Sequence, residues 1–128
     1  MIVWVDGWQL QCCGDPFGVG TRVSWRLRPA DRGWLADVLG EAADDVQWAE
    51  ERHGDAGTDG RRVEATVLAI TAVRCRYAPV PDEDALYPVR GSGMLSVVKE
   101  ADKWPPGQGG LEFVGYLVNL DTAAKPAR

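Results

Sequence analysis

The chain is poor in the residues that hold metals and attack substrates. It has a single histidine, His53, and only three cysteines, Cys12, Cys13 and Cys75. No C-x-x-C pair is present to place two thiolates at zinc spacing. Adjacent cysteines such as Cys12 and Cys13 rarely pair with each other, because disulfide geometry strains so short a ring. No phosphate-binding loop occurs either: Gly54, Gly57 and Gly60 lack a following Lys-Ser or Lys-Thr. Positive charge is scarce, with 14 Lys and Arg against 19 Asp and Glu, a net charge of -5. That balance argues against broad binding to a phosphate backbone. No apolar run approaches the length of a membrane span. The opening MIVWVDGWQL lacks the basic and apolar regions of a signal peptide. The expectation is a cytoplasmic protein with reduced thiols, and no cofactor is expected.

What is plentiful is tryptophan and turn formers. Six tryptophans, fifteen glycines and eight prolines accompany a 45% apolar content in 128 residues. That length and content suit one domain with a real core, expected over residues 1–121 with a flexible tail at 122–128. Tryptophans are expected mainly in the core, with a stacking or recognition surface as the alternative. The acidic residues crowd most densely between Glu41 and Asp59.

Periodicity predicts mostly strands. Residues 2–13 read as a first strand, with a turn or bulge at Asp6-Gly7; extended backbone would point Cys12 and Cys13 to opposite faces. Gly14-Asp15-Pro16 breaks it, and Phe17 is expected to plug one end of the core. Thr21 to Arg28 is the cleanest strand, with Val23, Trp25 and Leu27 alternating against Arg22, Ser24, Arg26 and Arg28. Asp31 is the expected N-cap of a short helix through Leu39, with Gly40 at its C-terminus. A stop near Ala43 is preferred over a longer helix to Glu51, and Val46 to His53 reads as a strand. Arg61 to Tyr77 is a long strand, apolar on both sides in its middle, which suits a strand covered on both faces or one bent by a bulge between layers. Ala78 to Gly93 reads as a long loop, Met94 to Lys99 as a short strand. Leu111 to Leu120 is the last strand, with Gly115 where a neighbour approaches closely or the strand bends. The fold class is therefore mainly β: a small antiparallel barrel or two-layer sandwich of five to six strands with one short helix.

Three constellations bear on function. Cys12, Cys13, His53 and Cys75 are weak candidates for a zinc site or for thiol chemistry; the ordinary alternative is a buried Cys75 and a surface His53. Acidic runs such as Asp44-Asp45 and Asp82-Glu83-Asp84 supply paired carboxylates but usually mark solvated loops. The third is a binding surface, with Tyr87, Trp104 and Tyr116 near Pro- and Gly-rich loops and Arg22, Arg26 and Arg28 along one strand face. That arginine face reads first as solvated and alternatively as an anion-binding ribbon. The acidic balance favours a protein partner over nucleic acid, and no membrane partner is expected.

The segment from Trp8 to Phe17, with Gln9, Gln11, Cys12-Cys13-Gly14 and Pro16-Phe17, followed by Val19-Gly20 and Val23-x-Trp25, resembles a family of small uncharacterised actinomycete proteins, Streptomyces included. Val73-x-Cys75-Arg76-Tyr77 and Phe113-Val114-Gly115-Tyr116 are similar to that family too. Eleven arginines against three lysines, and Asn119 as the sole asparagine, fit a GC-rich bacterial source. The resemblance implies a domain of unknown function and assigns no activity, cofactor or site residue. The expectation is a non-catalytic binding or regulatory module, with a metal- or thiol-dependent enzyme as the alternative and a single-strand nucleic-acid binder as the weaker one.

Overall fold

The computed structural model describes residues 1–51, 61–79, 81–82, 85–103 and 105–122, with the backbone alone of Cys13 and Arg61. Of the tail expected at 122–128, residues 123–128 lie outside the described residues, as does the loop at 54–60.

Strand β1 (Ile2–Asp6) is the pivot of the fold. Its β-branched residues favour extended backbone, and it is covered on both faces. Val3 and Val5 enter one apolar cluster, while Trp4 enters a second on the opposite side. The sequence leaves the strand earlier than expected. Gly7–Cys13 is a helix, α1, rather than strand. No β-branched residue occurs in GWQLQCC, and Gly7 and Leu10, one turn apart, are both buried. Gly14 closes the helix by donating its amide to the Leu10 carbonyl at 3.1 Å.

Strand β2 (Phe17–Gly18) pairs with β9 (Glu100–Ala101). Phe17 is buried, its ring edge-on to Trp25 at 5.0 Å and to Tyr116 at 6.4 Å. Strand β3 (Arg22–Pro29) keeps its alternation, burying Trp25 and Leu27. Helix α2 (Arg32–Leu39) follows, capped by the Asp31 carboxylate, which accepts from the Trp34 amide. Gly40 adopts a φ of +62°, and a 3-10 turn (Gly40–Asp45) leads into β4 (Val46–Glu50). The helix thus ends at Leu39, short of the longer alternative, because Gly40 supplies a left-handed φ that other residues disfavour.

Strand β5 (Arg61–Cys75) is the longest. Val63, Ala65 and Val67 are buried, then the buried positions shift to Ile70 and Ala72. A register slip opposite Leu68 accounts for the change: Asn119 pairs with Ala69, but Leu120 pairs with Val67. The bulge keeps both halves on the main cluster and turns Val73 and Cys75 to the second. The stretch expected as one long loop contains a small hairpin, β6 (Tyr77–Pro79) with β7 (Leu86–Pro88). Strand β8 (Met94–Val98) pairs with β5, and β10 (Glu112–Asp121) completes the sheet.

The principal sheet has six strands in the order β10-β1-β4-β3-β5-β8, and β10 also pairs with β5. The fold is mainly β, as expected, but the sheet is mixed rather than wholly antiparallel, because β1 and β4 run parallel. The sheet's inner side holds Val3, Val5, Trp25, Leu27, Tyr116 and Val118. Its outer side is covered by α2 through Leu35 and Val38, packed with Trp4, Val46, Ala49, Val73 and Cys75. No helix among the described residues is long and apolar enough to cross a membrane.

Candidate functional site: an indole-lined cleft at the end of β1

The point where β1 gives way to α1 gathers most of the chain's unusual chemistry. Trp4 projects from the outer face of β1 and is almost wholly buried. Its indole Nε1 donates to Asp6 Oδ1 at 2.9 Å. Room for the ring comes from Gly115 on β10: a Cβ there would lie 2.6 Å from Trp4 Cζ2 and against the Val5 carbonyl. The expectation of a close approach at Gly115 is thereby met. Gly7 plays a similar part for α1, since a Cβ would sit 2.8 Å from the Phe113 ring.

Asp6 is held from two sides. Beside the Trp4 indole, Arg28 Nη2 from β3 lies 3.4 Å from Asp6 Oδ2, and Arg28 Nε lies 3.0 Å from Glu51 Oε2. Burial pushes the Asp6 carboxyl above its usual range; the Trp4 hydrogen bond and the Arg28 charge pull it back, while Glu51 and Asp31 raise it. Helix α2 contributes Trp34, whose ring centroid lies 5.6 Å from that of Trp4 at an interplanar angle of 55°. Trp8, on the first turn of α1, is 55% exposed.

These residues line two adjoining hollows that share Asp6, Trp8 and Trp34. The larger, of about 370 Å³, also meets Trp4, Arg28 and Asp31. The smaller, of about 270 Å³, is completed by Tyr77, Glu112 and Phe113. Burial pushes the Tyr77 hydroxyl up to about 12, with further upward pressure from Cys75, Glu112 and Asp6. Burial also raises the Cys75 thiol, aided by Glu112. Both groups therefore stay protonated at neutral pH.

The residues singled out from sequence fare unevenly. Arg28 joins the cleft. Arg22 and Arg26 are exposed further along β3, and Arg22 reaches Thr66 Oγ1 at 3.3 Å, so the three arginines do not act as one row. Tyr87 is exposed on β7. Tyr116 is corrected from a surface to a core residue: it is 2% exposed, because its position on β10 faces the inner cluster, and its hydroxyl donates to the Asp102 carbonyl at 2.8 Å. Burial lifts that hydroxyl to about 12 as well. Trp104 and His53 lie outside the described residues.

The expectation of reduced thiols is also corrected. It rested on the lack of a signal-peptide or membrane-span pattern; Cys12, on helix α1 rather than on the expected strand, is disulfide-bonded. Cys75 is free and buried, the ordinary reading of that residue. Cys13 falls on the last turn of α1. Among the described residues, no group of three or more His, Cys, Asp or Glu is placed to hold a metal ion.

Trp4, Asp6, Trp8 and Trp34 were not among the sequence candidates, nor were Tyr77, Glu112 and Phe113. The segment WVDGW, where two indoles flank an acid and a glycine, carries a signal, but its alternation fits a strand equally well. No curated protein and no solved structure matches the chain. One family model does match, over residues 1–122, and the chain belongs to that group, the Family of unknown function (DUF6578).

Proposed function

We propose that the chain is a non-catalytic, cytoplasmic binding or regulatory module of an actinomycete, that its partner is another protein, and that the indole-lined cleft is its recognition surface. The observation that carries this reading is the convergence of Trp4, Trp8 and Trp34 on the Asp6–Arg28–Glu51 ion pairs. Tryptophan and arginine are the residues most enriched at the energetic centres of protein interfaces. Here they stand on strands and helices rather than on a long loop, so little ordering entropy opposes binding. The net charge of -5 favours and steers a basic partner.

The test compares immobilised wild-type protein with Trp8→Ala and with Val97→Lys, an exposed edge-strand position that lines neither hollow. A polypeptide from the source cell that is retained by wild type and Val97→Lys but lost with Trp8→Ala supports the reading. Retention indifferent to Trp8→Ala overturns the cleft as the surface. Turnover of a substrate by the purified chain, abolished by Cys12→Ser or Cys75→Ser, overturns the non-catalytic assignment.

A further inference from the structure

The two hollows differ in the chemistry of their linings. Four aromatic residues line it, Trp8, Trp34, Tyr77 and Phe113, together with the carboxylates of Asp6 and Glu112. No lysine, arginine or histidine lines it among the described residues. Arg28 belongs to the larger hollow, on the other flank of Asp6, and is already engaged by both Asp6 and Glu51. Glu112 is exposed at the start of β10 and makes no ion pair among the described residues.

We infer that this smaller hollow receives the cationic head of a basic side chain, arginine or lysine, presented by a partner polypeptide. The inference rests on the reading of the cleft as a protein-recognition surface and names the chemistry that surface selects. Aromatic rings attract a cation through their quadrupoles, and do so most strongly when the cation sheds water. The carboxylates supply the formal countercharge. At about 270 Å³ the hollow lies below the usual range for drug-sized ligands and suits a single inserted side chain. Burial chiefly raises the Tyr77 hydroxyl and the Cys75 thiol, and the charge of Glu112 adds to it, so that carboxylate is felt along the Tyr77 side of the hollow.

The test uses a short neutral peptide with one central arginine, the same peptide with citrulline in its place, and tetramethylammonium. Binding is followed by indole fluorescence and by the indole N–H resonances of Trp8 and Trp34. The arginine peptide is expected to bind at least about tenfold more tightly than its uncharged citrulline isostere, the scale of one partly desolvated cation–aromatic contact. Glu112→Gln and Trp8→Ala, both at exposed positions, are expected to cost a similar factor with unchanged thermal midpoints. Equal binding of arginine and citrulline overturns the inference, as does arginine binding indifferent to both substitutions or absent at millimolar peptide. Binding of tetramethylammonium without either peptide overturns the polypeptide source and makes this a small-cation site. Retention of a partner that depends on Trp8 but not on Glu112 removes the cation and leaves the protein-recognition reading standing. Charge-dependent peptide binding with no Trp8-dependent partner does the reverse.

Discussion

Replacing Gly115 by alanine tests whether the cleft is built the way its contacts imply. Gly115 has no positive φ, so the backbone itself accepts alanine. Alanine even gains slightly, by about 0.4–1 kcal/mol, through a less flexible unfolded chain. The obstacle is steric. The new methyl would sit 2.6 and 2.7 Å from Cζ2 and Cη2 of Trp4, and against the carbonyl of Val5. The indole must give way by roughly an ångström to reach ordinary contact distance. It cannot do so freely, since its Nε1 is bonded to Asp6 at 2.9 Å and its ring abuts Trp34. Overpacking of this kind costs about 1–3 kcal/mol, and a weakened hydrogen bond to a charged acceptor adds to it. The steric cost exceeds the entropic gain, so Gly115→Ala is expected to destabilise by about 1–3 kcal/mol in denaturant titrations. The Trp4 indole N–H resonance should shift with it. Gly20→Ala is the control: φ there is +90° with nothing within 4 Å, so any cost is backbone strain and the Trp4 resonance stays put. A Gly115→Ala protein within about 0.5 kcal/mol of wild type, the range of inert surface changes, with Trp4 unmoved, would refute the reasoning.

Three further outcomes follow from the same contacts. Because burial holds Asp6 above its ordinary value of 3.8, the folded chain keeps this proton at pH values where the unfolded chain has lost it. The contribution of Asp6 to stability therefore rises as pH falls through the raised value and levels off below 3.8. Stability measured against pH should show wild type gaining on Asp6→Asn over that interval, and parallel curves would contradict it. Arg28→Met removes the cation that Asp6 and Glu51 share; a loss of about 1–3 kcal/mol is expected, with the Asp6 carboxyl titrating at still higher pH by NMR. Phe17→Ala empties a buried site between Trp25 and Tyr116 and should cost about 3–5 kcal/mol, read as a lowered thermal midpoint.

The sequence was most legible where one physical rule acts alone. In β3 a period of two separates Trp25 and Leu27 from Arg22 and Arg26, and the structure keeps that division. Asp31 and Gly40 bracket α2 because a cap and a left-handed glycine are local requirements. The double-sided apolar middle of β5 left a two-face-covered strand and a bulge open; the structure has the bulge, since no regular strand could send Val67 and Ile70 to the same cluster. Legibility failed at the β1–α1 junction. Trp4 and Trp8 are compatible with a strand face at period two and with a helix start, and only packing against β10 decides between them.

The same ambiguity hid the cleft. Its parts come from β1, α1, α2, β3, β6 and β10, with Asp6 and Glu112 more than a hundred positions apart in the chain. Neighbouring residues therefore have different fates. Arg26 points to solvent while Arg28, two positions on, turns toward Asp6; Tyr116 is core while Phe113, three before it, lines the hollow. A row of like residues on one strand suggests a shared surface, but Arg28, paired with Ala49 of β4 at the end of β3, reaches Asp6 of β1 while Arg22 and Arg26 stay exposed, and this divides the row. The cleft is thus built by the ring of elements around the end of β1, where the absence of a side chain at Gly115 on β10 and Gly7 on α1 admits the indole of Trp4 and the ring of Phe113.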